Sequence, residues 1–525
     1  MSDPWWDNAV IYQIYPRSFA DSNGDGVGDM PGITSRLEYI ADLGADAVWI
    51  SPFFVSPMKD FGYDVADYRT VDPAFGTNED FDELLEKAHS LGLKIMIDMV
   101  LAHCSDQHPW FIESRKDRTN PKADWFYWLD PKEDGTEPNN WLSFFGGRTW
   151  TWDTNRQQYY FHNFLSEQPN LNLSNPHVMD ALMDICRFWL DKGVDGFRLD
   201  AIHTAKADND WTDNKSRKRV DGVRPEREFE YQSQDSAQLN QPSIQKLSEN
   251  LRKLADEYGD RFLMGELDGE DAVAVSKTFT EGTGRLHSTY NFDLLRWDGA
   301  NVGEVRDIIA GLAENFNDSN SISTAWANHD MARVYDRMAL KIDVPDDSRE
   351  DFAHMLIQLS TSLIGSTCIY QGEELGLDDA DRLRRDQLQD PWGIHRYSKT
   401  FKGRDTCRTP MTWNSNQPNG GFSGDADVES WLPVDERHIA KGGFEQQGKQ
   451  GSLFERNKAH LEWRKDQAAF MNNGQIDLLD ADDDIIAFNR RADDGDASVL
   501  CLFNFSDTTK TVQGVNVQPW SAAFK

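Results

Sequence analysis

The sequence predicts an α/β chain closed into a (β/α)8 barrel, with a segment inserted after the third strand and an antiparallel β domain at the C-terminus. Eight short apolar runs alternate with helical patterns, the order expected of βα units and a parallel sheet. Eight is also the number a closed TIM-type barrel needs. A long stretch rich in Trp, Asn, Asp and Pro interrupts the alternation after the third run, and strand-like segments separated by acidic turns end the chain.

The eight runs are Val10–Tyr15, Ala45–Ser51, Leu93–Val100, Val194–Ala201, Arg261–Leu267, Ser288–Phe292, Ile322–Asn328 and Ser366–Gln371. Many are apolar along their length, as strands covered on both faces are. One intervening helix has its ends written out. Asn175 suits its cap, Pro176 its first position and Gly193 its exit, while Val178, Leu182, Ile185 and Trp189 recur at helical spacing between them. Thr77 followed by Asp80 resembles a capping box. His103 to about Ser174 reads as the insertion, and Lys206–Gln241 as a long polar loop after the fourth strand. After a last helix near Ser452–Phe470 come Ile476–Leu479, Ile485–Arg490 and Val499–Phe505, a small antiparallel β domain. The expected domains are therefore a barrel in two parts, residues 1–103 and 175–470, an insert over 104–174 and a β domain over 471–525.

Composition excludes several function classes. With 525 residues and a formal charge of −35, the chain repels phosphate backbones and anionic lipid, so neither nucleic acid nor a membrane surface is the expected partner. A small neutral substrate suits that field, and monomer and homo-oligomer both stay open. The N-terminal MSDPWWDNAVIYQIYP has no basic region, long apolar core or small-residue cleavage site, so no signal peptide is expected, and no apolar run is long enough to span a bilayer. Five scattered cysteines show neither zinc spacing nor a CxxC pair, which fits free thiols in a reducing cytoplasm.

Chemistry concentrates at the strand ends, where a barrel carries its active site. In VDGFRLDA, Arg198 and Asp200 share one face of the fourth strand. FLMGEL puts Glu266 at the end of the fifth, and ANHD puts His329 and Asp330 at the end of the seventh. Because neighbours on a regular pleat face opposite ways, both reach one site only where the strand is already bending into its loop. One such carboxylate alone reads as a structural salt bridge. Three are hard to explain as packing, since unpaired buried carboxylates are costly. They fit glycoside hydrolysis, in which one carboxylate meets the anomeric carbon and a carboxylic acid protonates the leaving oxygen. Separately, Asp21, Asn23, Asp25 and Asp29 alternate with glycines in DSNGDGVGD, oxygen donors suited to Ca²⁺ or Mg²⁺, although Gly32 stands where an EF-hand needs Glu. The same pattern also makes an Asx-rich turn without metal.

IYQIYPRSF, DSNGDGVGD, GYD, DMVLAH, GFRLD, GE, NHD and YQGEELG occur in the order of glycoside hydrolase family 13, and GRDTCRTPMTW resembles its α-glucosidase and oligo-1,6-glucosidase branch. The resemblance covers nearly the whole chain. It implies Asp200 as nucleophile, Glu266 as acid/base, Asp330 as the stabiliser of ring hydroxyls and Arg198 as the group orienting Asp200. It further implies His103 and His329 as donors to the −1 glucose, Asp60 and Arg404 as the pair gripping a terminal glucose, and Tyr63 as its platform. Phe145, Phe164 and Gln168 become further pocket residues, Asp64 and Asp98 supporting structure, and the Val27 carbonyl a fifth ligand of one structural ion. Ala102 stands where family amylases carry a calcium-binding Asn, and Asn170 replaces an Asp of the oligo-1,6-glucosidase pattern. Ala201 goes with α-1,4 rather than α-1,6 preference. The expectation is a retaining, exo-acting α-glucosidase for short α-glucosides such as maltose or sucrose, open to transglucosylation. The alternatives are an oligo-1,6-glucosidase, and a sucrose isomerase or glucosyltransferase on the same scaffold. A non-catalytic transporter subunit of this kind would lack the acidic triad.

Overall fold

A computed structural model describes residues 4–217, 228–233, 236–239, 244–269, 271–282, 284–319, 321–339, 341–380, 383–398, 401–472, 474–492, 495 and 497–525. Parts of the expected 206–241 loop and of the acidic turn at 492–496 lie outside these residues.

All eight expected runs form strands: β1 (Val10–Ile14), β2 (Ala47–Ile50), β3 (Lys94–Met99), β4 (Gly196–Leu199), β5 (Phe262–Glu266), β6 (Ser288–Tyr290), β7 (Ile322–Ala325) and β8 (Ser366–Tyr370). They close into a barrel in chain order, with β8 returning to β1. β1 pairs in parallel with β8 and β2, Val10 facing Thr367 and Ile11 facing Ala47. β1, β2, β4, β5, β7 and β8 are buried at every position, which is why they read as unbroken apolar runs.

The helix signals hold in detail. Asn175 accepts from the His177 amide at the start of helix Pro176–Lys192, and Gly193 leaves it in the left-handed region at φ 105°. Val178, Leu182, Ile185 and Trp189 are its buried face. Thr77 and Asp80 form the reciprocal capping box of helix Asn78–Ser90. The expected last helix is two, Leu453–Asp466 and Ala468–Met471, parted at Gln467 where the backbone leaves helical geometry.

Contacts divide the chain into two compact units. The first, 1–51, 74–96 and 290–525, holds β1, β2, β7, β8 and a C-terminal antiparallel sheet. That sheet pairs Gln475–Leu478, Ile485–Arg491, Ser498–Asn504 and Ala522–Phe524, the last a short half-buried strand without a clear pattern. The second, 52–73 and 97–289, holds β4, β5 and the insertion. There Trp128–Leu129, Gln158–Phe161 and Trp150–Asp153 make a three-stranded antiparallel sheet over Tyr127, Trp141, Trp150 and Phe161. Lys206, at the head of the expected long polar loop, is fully buried. Its ammonium bonds Asp208 and the carbonyls of Asp210 and Ala237 and lies 4.6 Å from the Trp211 ring.

All five cysteines are buried and free of disulfides. No helix among the described residues is long and apolar enough to cross a membrane.

Candidate active site

In the second unit the site is built around one guanidinium. Arg198, on β4, is completely buried. Its Nη1 donates to Asp98 Oδ1 and Oδ2 at 2.8 and 3.0 Å and to Asp200 Oδ1 at 2.8 Å. Its Nη2 lies 2.7 Å from Glu266 Oε2. Burial works against a charge here, but Asp98, Glu266, Tyr63 and Asp200 together hold Arg198 firmly protonated. Burial also pushes the Asp98 carboxyl up to about 6, against the pull of Arg198 and with a further push from the Glu266 charge. Asp98, expected as supporting structure, thus shares the cation with Asp200 and Glu266.

Chain geometry just past β4 adds a second hold. Ala201 sits in the left-handed region at φ 39°, ψ 39°, and its amide donates to Glu266 Oε2 at 2.6 Å. The Thr204 amide and hydroxyl both donate to the Ala201 carbonyl at 2.8 Å, pinning that turn. A non-glycine residue in this region is uncommon and carries strain of order 1 kcal/mol or more. No residue type at 201 announces it in the sequence.

The loop after β2 supplies the next group. Asp64 accepts from the Ser56 hydroxyl and the Lys59 and Asp60 amides, so it shapes the turn that presents Asp60. Asp60 Oδ2 accepts from Gln168 Nε2 at 3.1 Å. Tyr63 donates its hydroxyl to Asp98 Oδ2 at 3.1 Å. His103 Nε2 donates to the Tyr63 carbonyl at 2.9 Å, and burial holds its ring down to about 4, hence neutral. Phe164 lies 5.2 Å from His103 and 5.7 Å from Phe145, and both phenylalanines are half-buried. Phe144 and Phe229 extend this wall, Phe144 stacking on Phe164 and, at 4.1 Å, on Phe229. These two were not singled out, since aromatic residues in a loop carry no sign of which will pack.

In the first unit β7 ends at Ala325, so His329 and Asp330 lie in the loop beyond it, free of strand alternation as both needed. Asp330 Oδ1 accepts from Arg404 Nη1 at 3.1 Å and Arg408 Nη2 at 2.7 Å. Arg404 also binds Asp390 through Nε and Nη2 at 3.0 and 2.8 Å. Burial would raise Asp390, but Arg404 and Arg408 outweigh it and hold the carboxyl below its usual range. Arg408 further donates to the His329 carbonyl at 2.6 Å. Arg408 and Asp390 went unassigned because their partners are remote in sequence.

The acidic loop closes on its own amides. Asp21 accepts from Gly24 and Gly26, Asn23 from Asp25, and Asp25 from the Val27 amide and the Asn23 side chain. Asp29 accepts from Ser22 and caps helix Met30–Thr34 through the Gly32 amide. Burial raises the Asp29 carboxyl and the Asp21 charge adds to it, a repulsion a cation would relieve. The all-oxygen donor set suits a hard cation. Among the described residues, however, no three His, Cys, Asp or Glu side chains are already gathered as a metal set.

A family model described as alpha amylase, catalytic domain, matches residues 13–474. The chain belongs to the alpha-amylase family. Within it, the chain is a glycoside hydrolase of the α-glucosidase branch. It is 45% identical over 516 residues to a probable alpha-glucosidase of Rhizobium meliloti, covering 97% of this chain and 90% of the relative. It is 34% identical over 533 residues to an oligo-1,6-glucosidase of Halalkalibacterium halodurans, covering 96% and 91%. A crystal structure of an alpha-glucosyl transfer enzyme superposes with a TM-score of 0.91 at 44% identity, covering 100% of this chain and 99% of that one.

Proposed function

We propose that this hydrolase is a retaining, exo-acting α-glucosidase that releases glucose from the non-reducing ends of short α-glucosides, with maltose-like α-1,4 substrates or sucrose preferred. The observation that carries the reading is the single buried Arg198 guanidinium holding both Asp200 and Glu266. In a double displacement Asp200 attacks the anomeric carbon as an ionised carboxylate, and the Arg198 charge keeps it so. Glu266 protonates the leaving oxygen and then takes a proton from water. The Ala201 amide donates to its Oε2 and the Arg198 guanidinium lies beside the same oxygen, which leaves Oε1 to face the glycosidic oxygen. Asp330, held by Arg404 and Arg408, grips ring hydroxyls as charge develops. Asp60, Tyr63, His103, Phe145, Phe164, Gln168, Arg198, His329 and Arg404 are the substrate-binding residues of this proposal.

Retention makes a covalent glucosyl intermediate that an alcohol can intercept, so transglucosylation belongs to the same mechanism, and likeness to an alpha-glucosyl transfer enzyme favours it. One Ca²⁺ or Mg²⁺, held by Asp21, Asn23, Asp25, Asp29 and the Val27 carbonyl, would stiffen the loop away from the chemistry. The free buried thiols support a cytoplasmic protein.

Incubation with maltose, isomaltose, sucrose and trehalose, followed by product separation and NMR of the first-formed anomer, tests the reading. α-Glucose from maltose or sucrose is expected. β-Glucose would overturn retention, and an isomerised disaccharide would overturn hydrolysis. Chelation with metal analysis is expected to release one ion and lower the melting temperature, whereas metal-free protein of unchanged stability refutes the ion.

A further inference from the structure

The first unit contains a buried amide that the mechanism above does not use. Gln13, on β1, is completely buried, and its Nε2 lies 2.7 Å from His329 Nδ1 and 3.3 Å from Ser51 Oγ. Its Oε1 has no partner among the described residues. In this orientation both amide hydrogens reach acceptors and one carbonyl oxygen goes unused. The reversed amide would leave two buried N–H groups without acceptors among the described residues, and orphaned donors are the costlier and rarer defect. Nε2 is therefore the donor and His329 Nδ1 the acceptor.

We infer that Gln13 is a positioning residue that fixes His329 in the tautomer carrying its proton on Nε2. That nitrogen is 3.4 Å from Asp330 Oδ2, so the imidazole presents an N–H toward the carboxylate and toward any hydroxyl that Asp330 holds. With the opposite tautomer an Nε2 lone pair would face the carboxylate and the donor would be lost. The ring plane is fixed independently: Tyr15 stacks on it at 5.6 Å and 20°, and Trp49 meets it edge-on at 6.2 Å. The charged groups around it are Asp330 and the Arg404 and Arg408 that pair with Asp330, with Arg408 also bonded to the His329 carbonyl. Two cations beside one carboxylate make a third positive charge on the ring unwelcome, which suits a neutral donor. The assignment rests on the hydrolase reading and adds to it a group on β1 that never touches sugar.

The test is a double-mutant cycle on kcat and KM for p-nitrophenyl α-D-glucopyranoside, with melting temperatures for every variant. Gln13→Met keeps the volume and removes the donor. It is expected to lower kcat about tenfold, the scale of one well-made hydrogen bond, with KM nearly unchanged. In a His329→Gln background the same change is expected to cost less than about twofold, because the group it acts through is gone. Gln13→Glu draws a proton onto Nδ1, so when the ring loses a proton it loses the one on Nε2. The alkaline limb of its kcat profile is expected to lie at lower pH than that of wild type, whose own limb reports loss of the Glu266 proton. Equal falls from Gln13→Met in both backgrounds would overturn the inference, as would a Gln13→Glu profile that superimposes on wild type. If Gln13→Met does not fold, the Gln13→Glu profile decides alone. A wild-type enzyme without turnover would instead sink the hydrolase reading itself.

Discussion

Replacing Arg198 by lysine keeps a positive charge but not its shape. The arginine spreads one cation over two nitrogens, Nη1 serving Asp98 and Asp200 and Nη2 lying 2.7 Å from Glu266. A lysine offers one compact ammonium on a flexible stem and cannot span three carboxylates. A hydrogen bond to a charged group contributes about 1.5–3 kcal/mol. Leaving a buried carboxylate without its partner costs about 3–5 kcal/mol. If that loss falls on ionised Asp200 in the transition state, kcat drops about 10²- to 10⁴-fold. KM changes far less, since the missing contact is to the proposed nucleophile. Asp98, already pushed up to about 6 by burial, loses its two hydrogen bonds from Arg198 and climbs further. The assay is initial-rate hydrolysis of p-nitrophenyl α-D-glucopyranoside across pH, on protein shown folded by circular dichroism. A folded Arg198→Lys enzyme within tenfold of wild-type kcat would refute the view that this guanidinium keeps Asp200 ready to attack.

Three further outcomes are expected. Asp200→Asn removes at least about 10³-fold of turnover while leaving the melting temperature close to wild type, and substantial residual rate would mean another group attacks. Glu373, beside β8, is raised by burial to about 8, so its neutral form belongs to the folded state. The stability it contributes is full below about 4.5 and is lost as pH rises through 8, on the order of 3–5 kcal/mol, so Glu373→Gln should gain melting temperature on wild type between those limits; parallel curves would refute this. Burial holds His103, His108, His162, His354 and His438 down to about 4. Their contribution is present above about 6.5 and lost as pH falls toward 4, so the melting temperature should fall steeply over that window, and a flat profile there would count against it.

What the sequence made legible follows from what was local. A strand buried on both faces must be apolar throughout, so all eight barrel strands were visible, and Asn175, Pro176 and Gly193 bracket their helix because capping is a matter of adjacent residues. Glu266, Asp200 and Asp330 were visible because a carboxylate at a strand end is out of place in a core. Arg198, two residues before Asp200, was visible as its partner; the partners remote in sequence were not. Asp98 and Arg198 are remote in sequence, as are Gln13 and His329, and a residue type says nothing about which distant group it will meet. The left-handed turn at Ala201 was hidden for a different reason, because its strain is imposed by Thr204 and Glu266 rather than by a glycine. The burial of Lys206 was not legible because a charge ordinarily seeks water, and here three oxygens and an indole replace the water.

The concealed thiols bear on how the molecule ages. Burial pushes Cys104, Cys186, Cys407 and Cys501 well up, so almost none of their sulfur is present as the thiolate that peroxide or disulfide reagents attack. These four side chains are therefore shielded twice over from such reagents, by lack of access and by lack of thiolate.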